Sequence, residues 1–128
     1  MTSQKPLRIM VIEDHTVTAI NLECLLEDQG HHVTEFAATP LQAERVLRQG
    51  PSHLDLVILE AVLVGLPSDD LARRLKSLGL PVVVTSSLPE EDLTTLGFDV
   101  PYLAQPFSEA EVARIVGGYS GSASVSAA

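Results

Sequence analysis

Leu7-Arg8-Ile9-Met10-Val11-Ile12-Glu13-Asp14 is a run of branched apolar residues that stops abruptly at two carboxylates. A strand buried on both faces of a parallel sheet reads as such a continuous run, whereas a half-exposed strand alternates. The segment after Asp14 decides the fold. From Thr16 to Gln29 the apolar residues Val17, Ile20, Leu22, Leu25 and Leu26 have roughly helical spacing, and Gly30 stands where a helix C-terminus favours a left-handed residue.

The strand-helix unit repeats along the chain. A weaker strand over Val33 to Phe36 leads to a helix with Thr39 as N-cap and Pro40 at its first position, with Leu41, Ala43, Val46 and Leu47 turned inward. A third strand over Leu54 to Leu59 ends at Glu60, a loop passes through Gly65, and Ser68 can cap a helix with Leu71, Leu75 and Leu78 on one face. Pro81-Val82-Val83-Val84-Thr85 forms a fourth strand. Leu88 to Leu96 makes a short acidic helix and Tyr102 to Ala104 a fifth strand. Ser108-Glu109-Ala110-Glu111 is a capping box for the last helix, which runs through Val116. Five strands alternating with five helices imply a parallel sheet covered on both faces, a flavodoxin-like three-layer α/β sandwich.

Composition narrows the function. The 128 residues suit one domain, and 45% hydrophobic with 20% charged residues is ordinary for a globular chain. The expected division is a lead over 1–6, a domain over 7–117 and a flexible Gly/Ser/Ala tail over 118–128. Seventeen acidic against eight basic residues give a net charge of −9, which repels nucleic acid. No apolar run reaches the roughly 20 residues of a membrane span, and MTSQKP lacks the apolar centre of a secretion signal, so a cytoplasmic location is expected. Cys24 lies among Leu22, Leu25 and Leu26 and is expected to be buried and chemically idle. The four histidines, His15, His31, His32 and His53, show no metal-ligand spacing as a set.

In open parallel sheets, ligands bind beyond the carboxyl ends of the strands. Those ends carry Glu13-Asp14, Glu60, Thr85-Ser86-Ser87 and Ala104-Gln105-Pro106. The order of an acidic pair after strand one, Asp55-Leu56-Val57-Ile58-Leu59-Glu60, Pro81-Val82-Val83-Val84-Thr85-Ser86 and Gln105-Pro106-Phe107 resembles the receiver domains of bacterial response regulators, the CheY-like fold, over roughly Leu7 to Val116. The resemblance implies strand order 2-1-3-4-5, with a fourth helix that is short here. It also implies an acidic pocket of Glu13, Asp14 and Glu60, and Ser86 and Tyr102 as the switch pair.

Two departures from that family pattern stand out. Glu60 occupies the place of the phosphoacceptor aspartate, and Gln105 that of the lysine that pairs with phosphate. A glutamate oxygen reaches one methylene too far for in-line attack, and a carboxamide offers only neutral hydrogen bonds. The expected role is therefore a signalling module without aspartyl phosphorylation and without enzymatic activity. It would dock a histidine kinase, phosphotransfer or output protein through the fourth helix, fifth strand and fifth helix, with neither nucleic acid nor membrane as partner and dimerisation open. Glu60 could imitate the phosphorylated state by reaching Ser86, or merely silence the chemistry. Mg²⁺ is not required, and would be held only weakly by Glu13, Asp14, Glu60 and the Val62 carbonyl. If the three carboxylates converge without metal, at least one of their pKa values should rise. Two other readings stand beside this one: a receiver phosphorylated on Asp14, and a flavodoxin-like nucleotide- or cofactor-binding protein. The second lacks a glycine-rich phosphate cradle after strand one.

Overall fold

The computed structural model describes residues 5–126. In chain order the strands are β1 Arg8–Ile12, β2 His32–Ala37, β3 Leu56–Glu60, β4 Val62–Leu63, β5 Leu66–Pro67, β6 Val82–Ser86 and β7 Tyr102–Ala104. One sheet has the order β2-β1-β3-β6-β7, and its four pairings are all parallel. The short β4 and β5 form a separate antiparallel hairpin, so the main sheet has the expected 2-1-3-4-5 order. The helices are α1 Thr16–Asp28, α2 Pro40–Arg48, α3 Asp69–Ser77, α4 Glu90–Thr95 and α5 Glu109–Ser126.

Successive side chains of a strand point to opposite faces, and the core divides accordingly. Ile9, Val11, Ile58 and Val83 pack with Leu22, Leu26, Val112 and Val116 of α1 and α5. Met10, Val57, Leu59 and Val84 pack on the other face with Leu47, Leu75 and Leu93 of α2, α3 and α4. Each such leucine, fully buried, contributes about 1.5–3 kcal/mol of transfer free energy. Because β1, β3 and β6 are covered on both sides, their central positions are apolar on either face.

Helix ends follow the local chemistry. The Thr39 hydroxyl accepts from the Gln42 backbone N–H at 3.1 Å, and the Ser108 hydroxyl from that of Glu111 at 3.1 Å. The first turns of α3, α4 and α5 are acidic, and the last turns of α2 and α3 are basic, each sign placed where the helix dipole favours it.

Several expectations are corrected. Cys24 is exposed, because the inward stripe of α1 is Ala19, Leu22 and Leu26 and position 24 is turned away from it. Val17, Ile20 and Leu41 are likewise 81%, 50% and 57% exposed rather than inward. Ser68 stands at the N-cap of α3 but makes no capping bond. Its hydroxyl donates instead to the carbonyls of Glu60 at 2.5 Å and Ala61 at 3.1 Å, tying the hairpin back to the end of β3. A helix replaces the tail expected from residue 118: α5 continues to Ser126, and Ser120 is buried with its hydroxyl on the Lys5 carbonyl. Residues 1–4 of the lead and 127–128 of the tail lie outside the described residues.

The hairpin was hidden in the sequence because its two-residue turn is Val64-Gly65, with φ of 52° and 78°. Positive φ at both central residues is the mark of a type I′ turn, usually signalled by Asn-Gly. A β-branched residue with positive φ costs about 1–2 kcal/mol, so Val64 is a poor signal for the turn it makes.

Candidate functional site

The polar residues converge where the fold sends the strand ends. Glu60 is the last residue of β3, and its register partner on β6 is Thr85. One carboxylate oxygen of Glu60, Oε2, accepts from the Thr85 hydroxyl at 2.8 Å and from the Gln105 carboxamide at 2.7 Å. Gln105 is placed by the end of β7, where its backbone N–H donates to the Ser86 carbonyl at 2.8 Å, and the Gln105–Pro106 peptide bond is cis.

Thr85, not Ser86, is the hydroxyl on Glu60. The reason is strand parity: Ile58 pairs with Val83 and Glu60 with Thr85, so positions 58, 60, 83 and 85 share a face, while Ser86 falls on the face of Val82 and Val84. The Ser86 hydroxyl is buried and accepts from the Leu88 backbone N–H at 2.8 Å, holding the turn after β6. Counting by twos from Ile58 and Val83 was the signal that could have found Thr85. Tyr102 is half-buried beside the α3/α4 core and pairs in register with Val84.

Glu13 and Asp14 follow β1. Glu13 is buried, and its Oε2 accepts from the His15 backbone N–H at 3.1 Å and lies 3.3 Å from the His15 ring Nδ1. Asp14 Oδ1 is buried without a hydrogen-bond partner, 3.6 Å from the same ring nitrogen. One ligand atom from each of Glu13, Asp14 and His15 lies within 4.8 Å of the others. His15 thus joins the acidic pair, a role its position gave and its spacing to the other histidines did not. His31 is a core residue: its Nδ1 accepts from the Leu7 backbone N–H at 3.1 Å, and burial holds its pKa below the usual range.

The electrostatics are those of crowded acids. Burial pushes the Glu60 carboxyl up from 4.5 to about 7; the bonds from Thr85 and Gln105 hold it back, and the charges of Glu13 and Asp14 add to the rise. Glu13 is also raised, again chiefly by burial. At neutral pH Glu60 is therefore poised between a carboxyl and a carboxylate. Val62, expected as a backbone ligand, sits at the start of the hairpin opposite Pro67.

Comparison with known proteins bears on the fold. No family model matches the chain. Over 111 residues it is 30% identical to the phyllosphere-induced regulator PhyR of Methylorubrum extorquens, covering 84% of this chain and 41% of that protein. Over 115 residues it is 29% identical to the phosphate regulon transcriptional regulatory protein PhoB of Pseudomonas aeruginosa, covering 84% of this chain and 49% of that protein. The chain thus spans about half the length of these relatives or less. The solution structure of the receiver domain of Erythrobacter litoralis PhyR superposes with a TM-score of 0.76 at 25% identity, covering 89% of each chain. Among the described residues no helix is long and apolar enough to cross a membrane.

Proposed function

We propose that this chain, a receiver domain of the response-regulator family, works in two-component signalling as a protein-docking module that takes no phosphoryl group. The observation that carries the reading is the end of β3, where Glu60 stands in the acceptor position with Oε2 already bonded by Thr85 and Gln105. Phosphoryl transfer needs a carboxylate aligned for in-line attack and cations that absorb the charge of the product. Here the carboxylate is longer, the lysine position is a neutral carboxamide, and burial raises the Glu60 carboxyl to about 7.

Asp14, the other candidate acceptor, follows β1 instead of standing at the end of β3, and its Oδ1 is buried without a hydrogen-bond partner. The same orphaned oxygen does fit a hard cation. Mg²⁺ would be held by Glu13 and Asp14, with Glu60 and the Val62 carbonyl at the margin, and would supply only charge neutralisation.

The Glu60–Thr85 bond also gives the pocket a partial bias. A carboxylate oxygen draws the Thr85 hydroxyl toward the end of β3 as a phosphoryl oxygen would, with less charge and fewer acceptors. The bond is part of the ground state and joins β3 to β6. The readout face would be α4, β7 and α5, with Tyr102 at its edge, and the partner a kinase, phosphotransfer or output protein. An enzyme that turns over nucleotide is disfavoured by Glu13-Asp14-His15-Thr16, which has no glycine cradle after β1.

The test is incubation with a low-molecular-weight phosphodonor and Mg²⁺, followed by intact mass. The parent should remain unmodified, and the double variant Glu60→Asp, Gln105→Lys should gain a phosphoryl group. Stable modification of the parent overturns the proposal, and its loss in Asp14→Asn would move the acceptor to Asp14.

A further inference from the structure

We propose that the cleft between α1 and the carboxyl end of β2 docks a basic, apolar segment of a partner protein. One large apolar side chain would enter beside Ile20 and Phe36, and a neighbouring Lys or Arg would meet Glu13, Asp14 and Glu23. This surface is separate from the α4–β7–α5 face, and the inference does not depend on how Glu60 behaves.

The first observation is where apolar surface is left over. The large hydrophobic residues exposed among those described are Val17, Ile20, Phe36, Leu41, Val64 and Leu66. They stand on α1, β2, α2 and the hairpin, and none of them stands on α4, β7 or α5. Scattered single apolar residues need no explanation: Val17 lines a different cleft beside Gln105 and Phe107, and Val64 and Leu66 another beside Leu71, whereas Ile20 and Phe36 come together. Ile20 and Phe36, 50% and 46% exposed, line one cleft of about 340 Å³, room for one or two large side chains.

The second observation selects the occupant. The same cleft is lined by Glu13, Asp14 and Glu23, and the chain from Ile9 to Glu44 holds seven carboxylates and not one Lys or Arg. A second copy of the chain in a two-fold contact would bring the same negative face to meet it, and an anionic lipid surface would be repelled. A cationic segment with an apolar anchor satisfies both halves of the lining. Its charge would also offset the crowding of Glu13 and Asp14, which otherwise face each other with only the His15 ring between them.

The experiment tracks backbone amide shifts of the full chain, isotope-labelled, with three synthetic helical peptides of about 18 residues, long enough to hold a helix. The first carries a leucine face and lysines, the second replaces lysine by glutamate, and the third replaces leucine by serine. The expected result is a footprint on Ile20, Glu23, Phe36 and Ala38 with the leucine-lysine peptide alone. Phe36→Ser and Glu23→Lys should each weaken binding about tenfold or more while circular dichroism shows an unchanged fold. The proposal is overturned if that peptide gives no localised footprint, if the serine-lysine peptide binds equally, or if the footprint falls on α4–β7–α5. Dilution-dependent shifts of the same residues without peptide would assign the cleft to a second copy and overturn it equally. None of these outcomes bears on phosphodonor reactivity, so failure here and failure of the docking-module reading are read separately.

Discussion

Replacing Glu60 by glutamine should stabilise the domain at pH 8 and do so far less at pH 5, with only about a quarter of the full effect. Glutamine keeps the shape and still accepts from Thr85 and Gln105, but it cannot ionise. In the parent the carboxyl sits at about 7, raised from an ordinary 4.5. Below the lower value both folded and unfolded chains hold the proton, and the group contributes nothing. Between the two values the folded chain retains a proton that the unfolded chain has released, so stability falls as pH rises, and the full penalty is present above about 7. At 1.36 kcal/mol per pKa unit the displacement is worth about 3 kcal/mol at most. Partial contact with solvent screens it, and ~1–2 kcal/mol is the reasonable magnitude.

Urea denaturation followed by circular dichroism at pH 5, 6, 7 and 8 reads this directly as a difference between parent and variant. His31 and Glu13 also titrate anomalously, with His31 lowered and Glu13 raised, but both are present in the two proteins. The His31 contribution cancels in the difference, and Glu13 is relieved of a neighbouring charge in the same direction as Glu60. A difference constant with pH, or a parent that gains on the variant as pH rises, would refute the assignment of a crowded pocket with a raised Glu60 carboxyl.

Two further outcomes test how the site is held. Thr85→Val removes a bond that lowers the Glu60 pKa, so the carboxyl should titrate above about 7 by carbon-detected NMR, whereas Ser86→Ala, which loses only a bond to the Leu88 N–H, should leave that midpoint in place. Truncation after Gly117 should cost roughly 1–3 kcal/mol in a urea melt, because it removes Ser120 from the Lys5 carbonyl and Tyr119 from the α1/α5 core; an unchanged midpoint would restore the segment to the status of a tail.

The strands of the sheet were legible because each obeys a rule that burial enforces. Ile9 to Ile12 and Val82 to Val84 are apolar on both faces, and no helical surface pattern competes. At the strand ends the sequence pointed to the right places but not to every partner. Glu60 and Gln105, read from strand ends, meet in a hydrogen bond, but the hydroxyl expected at Ser86 is that of Thr85, one position earlier. In a strand, an error of one residue changes the face. The helices were less transparent, since α1 is apolar nearly all round and does not declare which stripe is outside. Ile20 and Val17 therefore read as core although they are surface. The end of α5 failed for a different reason: Gly117, Gly118 and Ser120 are weak helix formers in isolation, and the contacts that hold them, through Val116, Tyr119 and Ser120, come from the sheet and the start of the chain.

The acidic first turns and basic last turns of the helices have a consequence at long range. In a parallel sheet with crossover helices, the later helices begin at the carboxyl edge, where Glu13, Asp14 and Glu60 also stand, and end at the opposite edge. Arg45, Arg48, Arg74 and Lys76 gather there, with Lys5 and Arg8 leading into β1. The molecule is thereby an electric dipole superposed on its net charge. A cation that comes within a Debye length, about 8 Å at physiological salt, exerts a torque that turns the carboxyl edge toward it before any side chains touch. Encounter is then a search over position with orientation largely solved, and added salt should slow it by restoring that lost angular search.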